Sequence, residues 1–453
     1  MKMMLSEIAK ATNGSHVGAD VEIASASIDT RAIQAGDLYV AIKGEQYDGN
    51  EFVNKAEQAG AIAAILNWNF STSLPHILVD DTRLALAQLA GAWRDKSSAK
   101  IVGVTGSNGK TTVKEMTAAV LGMAGSVLFT KGNLNNDIGV PLTLLRLNEE
   151  HRYAVIEMGA NHPGEIAYIS TIAKADVAIL NNAGAAHIEG FGSLDGVAKA
   201  KGEIIETLKP GGIAVLNKDD KYFDYWKSLA GDRKVLSFGL TDSADISARS
   251  IRTEIIEDEF ITGFNLVASQ TMLKINLKLA GQHNVLNALA ATAAGLALGL
   301  DLEQVKAGLE SMKPVTGRMQ PLLSRLGNIV IDDTYNANAD SLKAGLDVLV
   351  NCSGKHWVVL GAFGELGDES VSIHEEMGKL INSKGVVRLL ALGSDAKNTV
   401  RVFGKGATFF DSQEDLISTL KAELKGDETI LVKGSRVQRM ENVVAALVDN
   451  FRT

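Results

Sequence analysis

The chain has almost no cysteine, no excess of positive charge and no dinucleotide fingerprint, and each shortage narrows what it can do. Cys352 is the only cysteine among 453 residues. No intrachain disulfide and no cysteine metal cluster can form, which fits a reducing compartment. The net charge is −9, which argues against a nucleic-acid scaffold but leaves room for a local basic pocket around an anion. The N-terminal stretch has no long apolar core ahead of Glu7 and Lys10. A secretory signal is therefore not expected, and a cytoplasmic protein is. The run from Leu279 to Leu300 carries no charge and is long enough to span a bilayer. Gln282, His283, Asn284 and Asn287 stand near its start, however, and Ala and Gly dominate the rest. This predicts a buried helix packed closely on its neighbours, with no membrane insertion. No segment reads G-x-G-x-x-G; even the glycine-rich Gly361-Ala362-Phe363-Gly364-Glu365-Leu366-Gly367 departs from it. A dinucleotide site is not expected.

What is present is a phosphate cradle. The apolar run Ile101-Val102-Gly103-Val104 stops at Thr105-Gly106-Ser107-Asn108-Gly109-Lys110-Thr111-Thr112, and Val113, Met116, Val120 and Met123 then recur at helical spacing. Strand, glycine loop and helix place backbone N–H groups and a helix N-terminus against an anion. In that reading Lys110 reaches the β- and γ-phosphates and the Thr111 hydroxyl sits on Mg²⁺. The spacing is short, because the usual pattern needs a glycine where Val104 stands. The bland alternative is a glycine-rich turn.

Length and a hydrophobic content of 46% suggest a globular protein of about three domains, and the alternation of strands and helices along it makes the fold class α/β. Residues 1–97 read as a small α/β unit, with strands around 36–44 and 61–65 and a helix at 52–59 stopped by Gly60. The polar stretch Asp95-Lys96-Ser97-Ser98 marks the first boundary. Residues 98–313 alternate strand and helix, with strands at 101–104, 153–157, 175–180 and 212–216, which predicts a mostly parallel sheet. Residues 244–280 alternate by twos, as an antiparallel insertion or sheet extension does, and helices follow at 284–299 and 302–312. Pro314 and Gly317 mark the second boundary. Residues 314–453 read as a Rossmann-like unit with strands near 328–332, 356–360, 387–392 and 428–433 and a terminal helix at 438–450.

In parallel sheets ligands sit at the C-terminal strand ends, and three chemical groups fall there. Glu157 closes an apolar strand, where a carboxylate needs a cation or a structural partner. His187 follows another strand and reads either as structural or as a metal or phosphate ligand. Lys199 and Lys201 lie on a helix, two apart and so on different faces; composition singles out neither, and the default is a solvated lysine. Arg31 and Lys43, near strand ends of the first unit, read either as diphosphate contacts or as two solvated charges.

The loop Thr105 to Thr112 resembles the shortened phosphate loop of the Mur ligases and folylpolyglutamate synthetases. Further segments match in order: Glu157-Met158-Gly159, Asn181-Asn182 through His187, Ala200-Lys201-Gly202-Glu203, Gly281-Gln282-His283-Asn284-Val285-Leu286-Asn287-Ala288, Gly317-Arg318 and Asp332-Asp333-Thr334-Tyr335-Asn336-Ala337-Asn338. The resemblance spans essentially the whole chain. Gly132 to Pro141, Asp332 to Asn338 and Leu431 to Arg436 resemble the branch that adds D-alanyl-D-alanine. The Asp-Asn-Pro-Arg motif of the diaminopimelate-adding branch is absent. The rival readings are another Mur-type or folylpolyglutamate-type ligase, a phosphate-loop NTPase switch, and an inactive nucleotide-binding relative.

The resemblance implies ATP-dependent amide ligation in peptidoglycan synthesis. D-alanyl-D-alanine would join the terminal carboxylate of UDP-N-acetylmuramoyl-tripeptide through an acyl phosphate, giving the pentapeptide, ADP and phosphate. It implies two Mg²⁺ ions. Thr105, Gly106, Ser107, Asn108, Gly109, Lys110, Thr111 and Thr112 would hold the ATP phosphates, Asn284 and Asn287 the adenine, and Arg318 and Asp333 would reach the nucleotide from the third domain. Thr111, Glu157, His187 and Lys201 would be metal ligands, with Lys201 carrying a carbamate derived from CO₂. Lys110, Glu157, His187 and Lys201 form the implied catalytic set. The first domain would bind UDP through Ser27, Thr30, Arg31, Lys43 and Gly44, while Asn135, Asn136, Tyr335 and Asn336 would contact the rest of the substrate. A monomer without nucleic-acid partners is expected. The third residue of the tripeptide, diaminopimelate or lysine, stays open.

Overall fold

In the computed structural model, residues 1–44, 46–184, 188–256 and 259–448 are described. The fold is α/β, built on three large sheets. The N-terminal sheet has 5 strands, in the spatial order Ser15–Val17, His76–Val79, Ala63–Asn67, Asp37–Val40, Ser25–Ser27. It is parallel except for its Ser15–Val17 edge. Gly60 ends the Val53–Ala59 helix in the left-handed conformation, φ 113°, as a glycine just past a helix does.

The central sheet has 9 strands. Val127–Phe129, Tyr153–Glu157, Lys100–Thr105, Val177–Leu180, Ile213–Asn217, Lys234–Phe238 and Ile246–Ile256 pair in parallel, in that spatial order. Glu259–Ala268 and Thr271–Leu277 then extend the sheet antiparallel, so the expected change of character near residue 244 is a sheet extension. Period two divides the buried residues. Val102, Val104, Val155 and Ile179 face a layer with Val113, Met116, Val285 and Val305. Ile101, Ala154, Ile156 and Ala178 face another with Ile166, Ala198 and Ile205. Both faces are covered, so the strands read as unbroken apolar runs.

The uncharged run from Leu279 forms the buried helix Gln282–Ala297. Small residues set its approach to the Lys110–Gly122 helix: a Cβ on Gly295 would lie 2.8 Å from Val120 Cγ1. Among the described residues no helix is long and apolar enough to cross a membrane.

The C-terminal sheet has 6 strands, in the order Gln320–Leu323, Ile329–Asp333, Glu428–Lys433, Lys355–Gly361, Arg388–Leu392, Ala407–Phe410. Only the first edge is antiparallel. Register aligns Asp333 with Lys433, and Lys433 with Leu360, at the end of the sheet that faces the central phosphate loop. The expected terminal helix forms as Glu441–Leu447.

Candidate active site

The phosphate loop leaves the Lys100–Thr105 strand at its C-terminal end. Val104, the residue that spoils the generic spacing, is still part of the strand: it is fully buried, and its carbonyl accepts from Met158 N at 2.8 Å. The loop therefore starts later and is shorter. Gly109 is required for two reasons. Its φ is 80°, and a Cβ would fall 2.5 Å from Asn287 Oδ1. Lys110 Nζ donates to the carbonyls of Gly106 (2.8 Å) and Ser107 (3.3 Å). Burial lowers its pKa below the usual lysine value, Glu157 opposes that, and Arg318 adds to it.

A chain of amides fixes the loop from behind. Asn108 N donates to Asn182 Oδ1 at 2.8 Å, and Asn181 Nδ2 donates both to Asn108 O and to Asn287 Oδ1, each at 2.9 Å. Asn287 Nδ2 donates to Asn284 Oδ1 at 3.1 Å. Asn284 and Asn287 are thereby wired to the loop through Asn181. Asn181 and Asn182 carry this load although neither is among the expected site residues; their position just past a parallel strand was the available signal.

Glu157 ends the neighbouring strand and is 2% exposed. Its Oε1 accepts from Asn135 Nδ2 at 2.9 Å, whereas its Oε2 is buried without a partner. An orphaned buried carboxylate oxygen is costly, and a divalent cation would satisfy it. Among the described residues no group of three or more His, Cys, Asp or Glu is arranged to hold a metal. The donors present, the Thr111 hydroxyl and Glu157, suit Mg²⁺, which takes few protein ligands and completes its shell with phosphate oxygens and water. His187 lies outside the described residues.

Lys201 departs from the solvated default. It lies on the Leu194–Glu206 helix, is 1% exposed, and its Nζ sits 5.9 Å from the Phe191 ring centroid. Burial, and then Lys110, hold its pKa well below the usual lysine value. Lys199 is exposed, so the two lysines do occupy different faces.

From the C-terminal unit, Arg318 packs over Tyr335, 4.3 Å to the ring centroid, and its Nη2 donates to Thr111 Oγ1 at 2.9 Å. Asn338 Nδ2 donates to Asn108 Oδ1 at 2.8 Å. Lys433, 1% exposed, donates to Asp333 Oδ2 at 2.6 Å and to Asn336 O at 3.0 Å. Lys433 is not among the expected site residues, though a lysine closing an apolar strand carries the same signal as Glu157.

The phosphate loop, Glu157, the Asn284 and Asn287 amides and the C-terminal residues open on one cavity of about 1050 Å³, whereas Lys201 is not part of its lining. Its walls include Ser107 to Thr112, Asn135, Asn136, Glu157, Asn284 and Asn287 of the central unit, with Arg318, Asp333, Tyr335 and Asn336 of the C-terminal unit. The N-terminal unit contributes Asp81, Arg83 and Leu84. Ser27, Thr30, Arg31, Lys43 and Gly44 do not line it. Arg31 is exposed and held by Asp29, whose carboxyl is pulled down to about 2 chiefly by that hydrogen bond.

A curated Escherichia coli (strain K12) protein, UDP-N-acetylmuramoyl-tripeptide--D-alanyl-D-alanine ligase, is 42% identical over 453 residues, covering 99% of each chain. This chain belongs to the Mur ligase family. The family's catalytic domain matches residues 22–94, its middle domain 104–295 and its glutamate ligase domain 317–436, one on each sheet. Among solved structures, MurF from Acinetobacter baumannii superposes with a TM-score of 0.93 at 35% identity, covering 98% of each chain. MurF ligase from Thermotoga maritima in complex with ADP gives a TM-score of 0.84 at 31% identity, covering 93% of this chain and 96% of that one. The Mur ligase fold is thus matched over 98% of the chain.

Proposed function

We propose that the chain joins D-alanyl-D-alanine to the terminal carboxylate of UDP-N-acetylmuramoyl-tripeptide with ATP, in peptidoglycan synthesis. The observation that carries this reading is the single cavity in which the phosphate loop and the orphaned Glu157 oxygen face Arg318, Asp333 and Lys433. A carboxylate is a poor electrophile. Its oxygen attacks the γ-phosphorus, ADP leaves, and the acyl phosphate forms. The dipeptide amine then attacks the acyl carbon, phosphate leaves, and the amine gives up a proton. The first step brings anions together, so positioning and positive charge dominate the catalysis.

In this reading Lys110 and the loop amides hold the β- and γ-phosphates. Arg318 and Asp333 reach the nucleotide from the third domain, and Asn284 and Asn287 line the adenine end. Thr111, Glu157, His187 and a carbamate on Lys201 would hold two Mg²⁺ ions, which supply charge screening between ATP and the carboxylate. Carbamate formation needs a neutral amine, and the burial of Lys201 favours one. Asn135, Asn136, Tyr335 and Asn336 contact the substrate in the cavity, and the Ser27–Arg31 and Lys43–Gly44 region takes UDP outside it. We divide the chain into domains at 97/98 and 313/314, a reading that the three large sheets support. We infer a monomer, and the nucleotide-linked substrates suit the cytoplasm.

The acyl phosphate makes a direct test possible. Oxygen-18 in the tripeptide's terminal carboxylate is expected in the released phosphate; label retained wholly in peptide and water would overturn the mechanism. For Lys201, short-chain carboxylic acids should restore activity to Lys201→Ala, and no rescue counts against the carbamate.

A further inference from the structure

The cations that line the cavity are not all at its ATP end. Lys110, Arg318 and Lys433 engage the loop, Thr111 and Asp333 respectively. Arg83 stands apart, in the first turn of the Thr82–Lys96 helix of the N-terminal unit. Its Nε meets Asp137 Oδ2 at 3.2 Å, with the two side chains 50% and 36% exposed. No other hydrogen bond or ion pair to either side chain is present among the described residues. Arg83 therefore keeps a free face of its guanidinium, and Asp137 a free carboxylate oxygen, on the wall of the cavity.

The pair lies close to where the reacting carboxylate must sit. Asn135 holds Glu157, and Asp137 is two residues further along the same loop, a reach of at most about 7 Å. An unsaturated cation and anion side by side complement a group that carries both charges on one carbon. Such a group ends the side chain of diaminopimelate, on a short methylene arm from the reacting end. Lysine offers the ammonium alone.

We propose that Arg83 and Asp137 read the distal amino and carboxylate groups of a diaminopimelate residue in the tripeptide, and that Arg83 makes the enzyme prefer this substrate over the lysine form. Arg83 binds the carboxylate in the planar two-bond manner that guanidinium permits, and Asp137 takes the ammonium. This deepens the ligase reading above and rests on it.

The test is kcat/KM for the diaminopimelate and lysine UDP-tripeptides with the full chain, saturating D-alanyl-D-alanine and MgATP. Wild type should favour diaminopimelate by roughly tenfold or more, the worth of one charged contact. Arg83→Gln should collapse that ratio mainly by raising KM for the diaminopimelate substrate, and Arg83→Lys should restore part of it. Equal use of both substrates by wild type would overturn the proposal. So would a ratio that survives in Arg83→Gln, because a mere strut between units, or a grip on the glutamyl carboxylate common to both substrates, would lower both rates together. Turnover of neither substrate would instead sink the ligase reading, and the proposal with it.

Discussion

Arg318 Nη2 donates to the Thr111 hydroxyl at 2.9 Å, joining residues 207 apart in the chain. The contact ties the C-terminal unit to the first turn of the phosphate-loop helix, at the hydroxyl assigned to Mg²⁺. Arg318→Met should lower kcat/KM for ATP by about 100-fold, the range for losing one preorganised charged donor. Arg318→Lys should recover little, because an ammonium cannot both lie flat on Tyr335 and reach Thr111. Steady-state kinetics at saturating peptide substrates measure both.

The metal role proposed for Glu157 implies a cost in stability. With Oε2 buried and unpartnered, Glu157→Gln should raise the stability of the metal-free protein by about 1 kcal/mol while abolishing ligation. Thermal denaturation in EDTA and a turnover assay read the two effects. A variant both less stable and active would contradict the role given to this carboxylate.

Gly109→Ala combines a left-handed backbone with a clash on Asn287. The strain of a non-glycine residue there is about 1–2 kcal/mol. A lowered melting temperature and a raised KM for ATP are expected together, since the residue it strikes is wired to the loop through Asn181.

The lone cysteine gives a pH-dependent check on the fold. Burial pushes the Cys352 thiol up to about 11, against about 8.5 for a free cysteine. Only the thiolate reacts. Native alkylation at pH 7.5 should be slower than in denaturant by about two orders of magnitude, and should rise about tenfold per pH unit until the thiol ionises. Iodoacetamide labelling followed by mass spectrometry gives both rates.

The central and C-terminal sheets were readable because parallel strands buried on both faces are apolar runs, and Glu157 and Lys433 stand out where such runs end. The N-terminal sheet was less so. Ser15–Val17 and Ser25–Ser27 are short and polar, with neither alternation nor an apolar run to mark them. The phosphate loop, Arg318 and Asp333 were found through motifs, but their meeting is tertiary: no local pattern pairs Arg318 with Thr111 or brings Arg83 to Asp137. The burial of Lys201 was equally hidden, because a lysine beside another lysine on a helix looks solvated until Phe191 and the sheet cover it.

The most direct test of the account is phosphate release from ATP with each substrate omitted in turn. The account predicts one phosphate per pentapeptide formed, and no release above background without either UDP-tripeptide or D-alanyl-D-alanine. Steady ATP hydrolysis that is indifferent to both would contradict it and leave a nucleotide switch in its place.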